Sequence, residues 1–104
     1  MEIKVGEGWT VEIVNPTALG LVLEKILLER TRQDKKWGEQ NHQPEKWLVI
    51  LQEEVGEAAK ATLEGSALQY HDELVHVAAV AVAALESLSR GKWAAEREKR
   101  GAGG

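Results

Sequence analysis

The 104-residue chain has no cysteine, so disulfide frameworks, cysteine-based zinc fingers and thiol nucleophiles are excluded. Its amino terminus, Met1-Glu-Ile-Lys-Val-Gly-Glu-Gly8, lacks the basic-then-apolar layout of a signal peptide. It has no long apolar run either: the longest, Leu74 to Leu85, spans 12 residues and is interrupted by His76. A membrane span needs about 20 apolar residues, so this run reads as a buried helix. There is no excess of positive charge. With 17 acidic against 13 basic side chains the net charge is −4, which argues against a nucleic-acid polymer held by bulk electrostatics. The expectation is a cytoplasmic globular protein of one domain, large enough to build a core without covalent staples.

Residues 1–14 stand apart. Ile3, Val5, Trp9, Val11 and Ile13 alternate with polar residues on either side of Gly6-Glu7-Gly8, a period-two pattern around a glycine turn. This is a short β-hairpin that must pack on something, such as a partner subunit, or else a flexible arm. Residues 15–104 follow a helical period. Asn15-Pro16 offers an N-cap and a first-turn proline, and Leu19, Val22, Leu23, Ile26 and Leu27 carry a helix to about Lys36, ended by Gly38. The polar loop Gly38–Gln43 leads to a second helix from Pro44 to Gly65, where a glycine suits a positive-φ C-cap. A third runs from about Ser66 to Ser89 or Arg90, before Gly91, and a short fourth from Lys92 to Arg100 with a frayed tail. The fold class is all-α: an antiparallel helical bundle.

The second helix carries an anomaly. Trp47, Leu51, Val55, Ala58 and Thr62 define a buried stripe, and Glu54 falls inside it, with Glu57 at its edge and Glu53 further toward the polar side. A carboxylate on an apolar face is costly unless it reaches solvent, pairs with a base or binds a cation. On the third helix Glu73 and His76 share a face, being three residues apart. Asp72 and Glu73 also have a simpler reading as charges that complement a helix N-terminus, whereas His76 interrupts an apolar run. A short turn at Gly65-Ser66 makes the two helices an antiparallel hairpin, and Glu54, Glu57, Glu73 and His76 lie at matched offsets from it. Three carboxylates converging on one spot repel unless a hard, oxygen-preferring divalent cation sits among them.

At these residues the chain resembles the MazG-type all-α nucleoside triphosphate pyrophosphohydrolases, over roughly residues 29–88. That family pairs Glu-Glu-x-x-Glu on one helix with Glu-x-x-Asp on the next. Here the motifs read Glu53-Glu54-Val55-Gly56-Glu57, within Leu51-Gln-Glu-Glu-Val-Gly-Glu-Ala58, and Glu73-Leu74-Val75-His76. The segment Arg32-Gln-Asp-Lys-Lys-Trp-Gly-Glu-Gln-Asn-His42 is also similar to one in small members. The departure is His76 where the family has aspartate. Imidazole suits manganese, zinc or iron better than magnesium. Either Asp72 supplies the missing carboxylate, or His76 acts as a ligand, second-layer or acid–base group, or activity is lost.

The resemblance implies cleavage of a (d)NTP to (d)NMP and pyrophosphate, with Mg2+, or Mn2+ in its place, held by Glu54, Glu57, Glu73 and His76, and Glu53 as the base that orients water. Arg32, Lys35 and Lys36 then grip phosphate oxygens, unless they form a solvated basic face paired with Asp34 and Glu29. Trp37 and His42 stack on the base, unless they anchor the loop. The third helix, apolar nearly all round and rich in alanine, implies a homodimer or tetramer whose subunits complete one another's bundle. Two other readings compete. Glu73-x-x-His76 has the form of a di-iron carboxylate motif, and an acidic helical module can also serve oligomerisation alone.

Overall fold

A computed structural model describes residues 1–103. The elements are β1 (Glu2–Val5), β2 (Trp9–Glu12), α1 (Pro16–Trp37), α2 (Pro44–Glu64), α3 (Ala67–Arg90) and α4 (Lys92–Gly103), and 76% of the chain is helical. The helix boundaries agree with the caps legible in the sequence. Asn15 Oδ1 accepts from the Ala18 amide at 3.1 Å, with Pro16 as the first helical residue. Ser66 and Gln69 form a reciprocal capping box at the start of α3, and Gly91, in the left-handed region (φ 73°), ends it. Two details differ. α4 continues past Arg100 to Gly103, and Gly104 of the expected frayed tail lies outside the described residues. Gly65 has φ −104°, so it is not a positive-φ cap. Glycine is needed there for a close approach: a Cβ would lie 2.5 Å from Gln69 Oε1 and 3.0 Å from the Ala61 carbonyl oxygen.

The hairpin pairs Ile3 with Val11 and Val5 with Trp9, so its apolar side chains share one face. Among the described residues no helix packs on it, and Trp9 is 73% exposed.

α3 is the central element, packing against both α2 and α1, which do not pack directly on each other among the described residues. The small core is Trp47, Val80 and Ala83, flanked by Ile50, Leu51 and Ala84. The buried stripe of α2 is therefore rotated from the one the sequence suggests. Ala58 is buried, while Val55 and Thr62 face solvent, because α3 covers only one side of α2. α3 is likewise not enclosed within one chain, since Leu74, Leu85 and Leu88 are exposed. The radius of gyration is 16.9 Å, against about 13 Å for a compact domain of this length. No single described helix is long and apolar enough to cross a membrane.

The Gly38–Gln43 loop is pinned from beyond its neighbours in sequence. Arg90 donates to Asn41 Oδ1 and to the Gln40 carbonyl, both at 2.9 Å. Lys92 reaches Glu39 at 2.7 Å, and Gln43 donates to the Trp93 carbonyl at 2.7 Å. The ammonium of Lys92, with help from Asn41, holds the Glu39 carboxyl down at about 2. The junction of α3 and α4 thus fixes the loop that carries His42.

Candidate metal centre

α2 contributes Glu54, and α3 contributes Glu73 and His76; one ligand atom from each lies within 4.8 Å of the others. His76 Nδ1 is 3.4 Å from Glu73 Oε2 and 3.8 Å from Glu54 Oε2. Both of those carboxylate oxygens are buried without a hydrogen-bond partner. Burial, reinforced by the charges of Glu57, Glu73 and Glu29 and partly opposed by His76, pushes the Glu54 carboxyl above its usual range. Unpartnered buried oxygens on two neighbouring acids are what a cation would relieve, and the donor set of two carboxylates and one imidazole fits a divalent ion.

The simpler reading of Glu73 as a dipole-complementing charge does not survive the helix boundary. α3 begins at Ala67 and has no acidic residue in its first turn, so Asp72 and Glu73 lie beyond it. Asp72 is exposed and pairs with His71 at 3.0 Å, so it does not take the place of a missing carboxylate. Glu57 is exposed at the edge of the trio and outside its close contact. Glu53 is exposed and faces neither the trio nor the cleft beside it.

That cleft has a volume of about 450 Å³. Its polar and aromatic lining combines three acids, Glu29, Glu54 and Glu57, with His76, Arg32 and Lys46, and with Trp37, His42 and Trp47. Of the groups proposed to grip phosphate, only Arg32 reaches it, and Arg32 is already engaged. It forks onto Glu29 with two 2.7 Å bonds and lies 5.9 Å from the centre of the Trp37 ring. Lys35 and Lys36 lie outside the cleft lining, because the inward positions of α1 are taken by Glu29 and Gln33. Lys36 instead sits over the Trp37 ring at 4.7 Å. His42 meets Trp47 edge-on at 4.9 Å. Burial, with the nearby Lys46, pushes the His42 imidazole below its ordinary value.

Sequence reasoning overlooked Gln33 and Lys46, and took Glu29 only as a partner for the basic residues of α1, a pairing that Arg32 makes. Glu29 and Gln33 are buried on α1, with Gln33 donating to Glu29 at 3.2 Å, and His76 Nε2 lies 3.8 Å from Glu29. The Arg32 guanidinium holds the Glu29 carboxyl below the usual carboxylate range. A signal was there: Glu29 and Gln33 continue, at spacings of three and four, the helical stripe begun by Val22 and Ile26. Lys46 gave none, being a single exposed base in the first turn of α2.

No family model, no curated protein and no solved structure matches the chain.

Proposed function

We propose that the chain is a divalent-cation-dependent nucleoside triphosphate pyrophosphohydrolase, converting a (d)NTP to the (d)NMP and pyrophosphate. The observation that carries this reading is the meeting of Glu54, Glu73 and His76, of which Glu54 and His76 line a cleft shared with Arg32, Lys46, Trp37 and His42. The motif resemblance supplies the reaction. When bound, a cation at Glu54, Glu73 and His76 supplies charge neutralisation and polarisation of the attacked phosphoryl group. An imidazole ligand favours Mn2+ beside Mg2+. Lys46 and Arg32 face the bound phosphates, Arg32 by exchanging one Glu29 oxygen for a phosphate oxygen. Glu57, which lines the cleft, is better placed than Glu53 to hold the attacking water and accept its proton. Trp37 and His42 also line the cleft and offer faces on which an aromatic base stacks.

The test is pyrophosphate release from a panel of NTPs and dNTPs with Mg2+ or Mn2+. Turnover on at least one, lost on chelation, is the expected result. No turnover on any would favour a non-catalytic oligomerisation module. Glu73-x-x-His76 beside Glu54 also suits a carboxylate-bridged di-iron site. Anaerobic iron loading followed by air gives a coloured oxo-bridged species under that reading and none under ours.

The same proposal includes a homodimer. The accessible surface is 7764 Å², against about 5,800 Å² for a compact monomer of this mass. An excess of about 2,000 Å² per chain matches the interface of an obligate dimer. Leu19, Val22, Leu23 and Leu27 on α1, and Leu85 and Leu88 on α3, are exposed apolar positions for it. The apolar face of the hairpin is open to the same partner. Sedimentation should return a dimer, or a tetramer built from two; a stable 11.5 kDa monomer would contradict this.

A further inference from the structure

We infer that the hairpin of a second copy of this chain docks, Trp9 foremost, in the apolar groove formed by α2, α3 and the start of α4. The inference rests on the homodimer proposed above and is independent of the chemistry proposed with it. The groove has a volume of about 450 Å³ and, apart from the His42 imidazole, aliphatic and aromatic walls. Of its lining, Leu48, Leu85 and Leu88 are each more than half exposed in the single chain, and no residue of α1 reaches it. The hairpin is the matching half. Ile3, Val5, Trp9 and Val11 share one face, and no helix of the same chain packs on it among the described residues. A lone two-stranded hairpin is marginal in water, so that face needs a cover. Its own chain holds it away from the groove: Pro16 lies about 20 Å along α1 from Arg30, which is clamped to Glu86 of α3. A tryptophan buries about 150–250 Å² and is a favoured interface anchor. Two such contacts related by a two-fold axis draw on the surplus of about 2,000 Å² per chain. Charge agrees: the hairpin side chains carry three acids against one base, and α4 carries four bases against two acids. His42 and Trp47 line both the groove and the cleft, so the docked ring backs one wall of the cleft.

The test measures dimer dissociation of native protein, Trp9→Ala and Leu48→Asp by sedimentation equilibrium, with helix content followed by circular dichroism. Native protein should be dimeric. Each variant should keep its helices and dissociate at least about 30-fold more readily. The chain has no cysteine, so introduced thiols report the contact directly and without regard to variant stability. Val11→Cys chains mixed with Leu48→Cys or Leu88→Cys chains should, on mild oxidation, give a disulfide between unlike chains. A native monomer refutes the homodimer itself. A native dimer whose dissociation is unchanged in Trp9→Ala, or whose unlike chains form no disulfide, overturns the docking alone and leaves the dimer to other faces. A bridge formed only within a single chain carrying both thiols places the hairpin on its own groove and also overturns it. None of these readouts depends on turnover, so failure of the hydrolase reading leaves the result standing.

Discussion

Under the proposed function, replacing Glu54 and Glu73 together with glutamine should abolish stabilisation by Mn2+ and reduce pyrophosphate release at least about 100-fold. An ion at a hundred times its dissociation constant stabilises the folded state by about 2.7 kcal/mol. For a domain of this size that raises Tm by about 10–20 °C. The double variant should melt at the same temperature with or without Mn2+. Without metal it should be no less stable than native protein. The Glu54 carboxyl is raised in the folded state, so its contribution favours folding at low pH and is lost as pH rises through the folded value. At pH 7 the ionised group therefore destabilises, and the neutral amide removes that penalty. A metal-independent loss of stability in the variant would instead mark both acids as structural. Differential scanning fluorimetry with a Mn2+ titration reads both outcomes.

Arg30→Met lowers stability by about 2–3 kcal/mol, or a Tm fall of about 10–20 °C. Arg30 is the clamp between α1 and α3: its side chain is 11% exposed and forks onto Glu86 at 2.9 and 3.1 Å. It also bonds Gln33 and Asp34, each at 2.9 Å. The variant leaves those acceptors without their donor. By contrast the exposed Lys60–Glu64 pair, at 3.8 Å, contributes little, and Lys60→Met should lie within about 0.5 kcal/mol of native. Arg30 holds the Glu86 carboxyl below its usual range, so the Glu86 contribution is present above the unfolded carboxylate value and lost as pH falls through the folded one. The difference between native protein and Arg30→Met should shrink below about pH 4. A difference constant down to pH 2 would show that packing, not charge, makes the clamp. Chemical denaturation across pH decides between them.

What the sequence disclosed follows from what one strand of covalent order constrains. Helix ends were legible because their causes are local: Asn15 beside Pro16, Ser66 three before Gln69, and Gly91 after Arg90. The meeting of Glu54 with Glu73 and His76 was legible because a short turn sets the register of α2 against α3. Burial was less so, since it depends on which neighbours exist. Val55 has the spacing of a core residue but no helix covers it, and Glu29 has the composition of a surface residue but faces His76. Arg32 illustrates the same limit. Its spacing left two readings open, a phosphate grip or a pairing with Glu29 three positions back, and the structure has the pairing. The pinning of the His42 loop by Arg90 and Lys92 joins residues about 50 positions apart in sequence and left no local pattern.

The proposed function depends on a cation site formed by side chains of the antiparallel helices α2 and α3. Anomalous diffraction from crystals grown with millimolar Mn2+ tests it most directly. A peak bounded by the carboxylates of Glu54 and Glu73 and by Nδ1 of His76 is the expected result. No peak there, with those carboxylates paired instead to lysine or arginine side chains of a second chain, would contradict it.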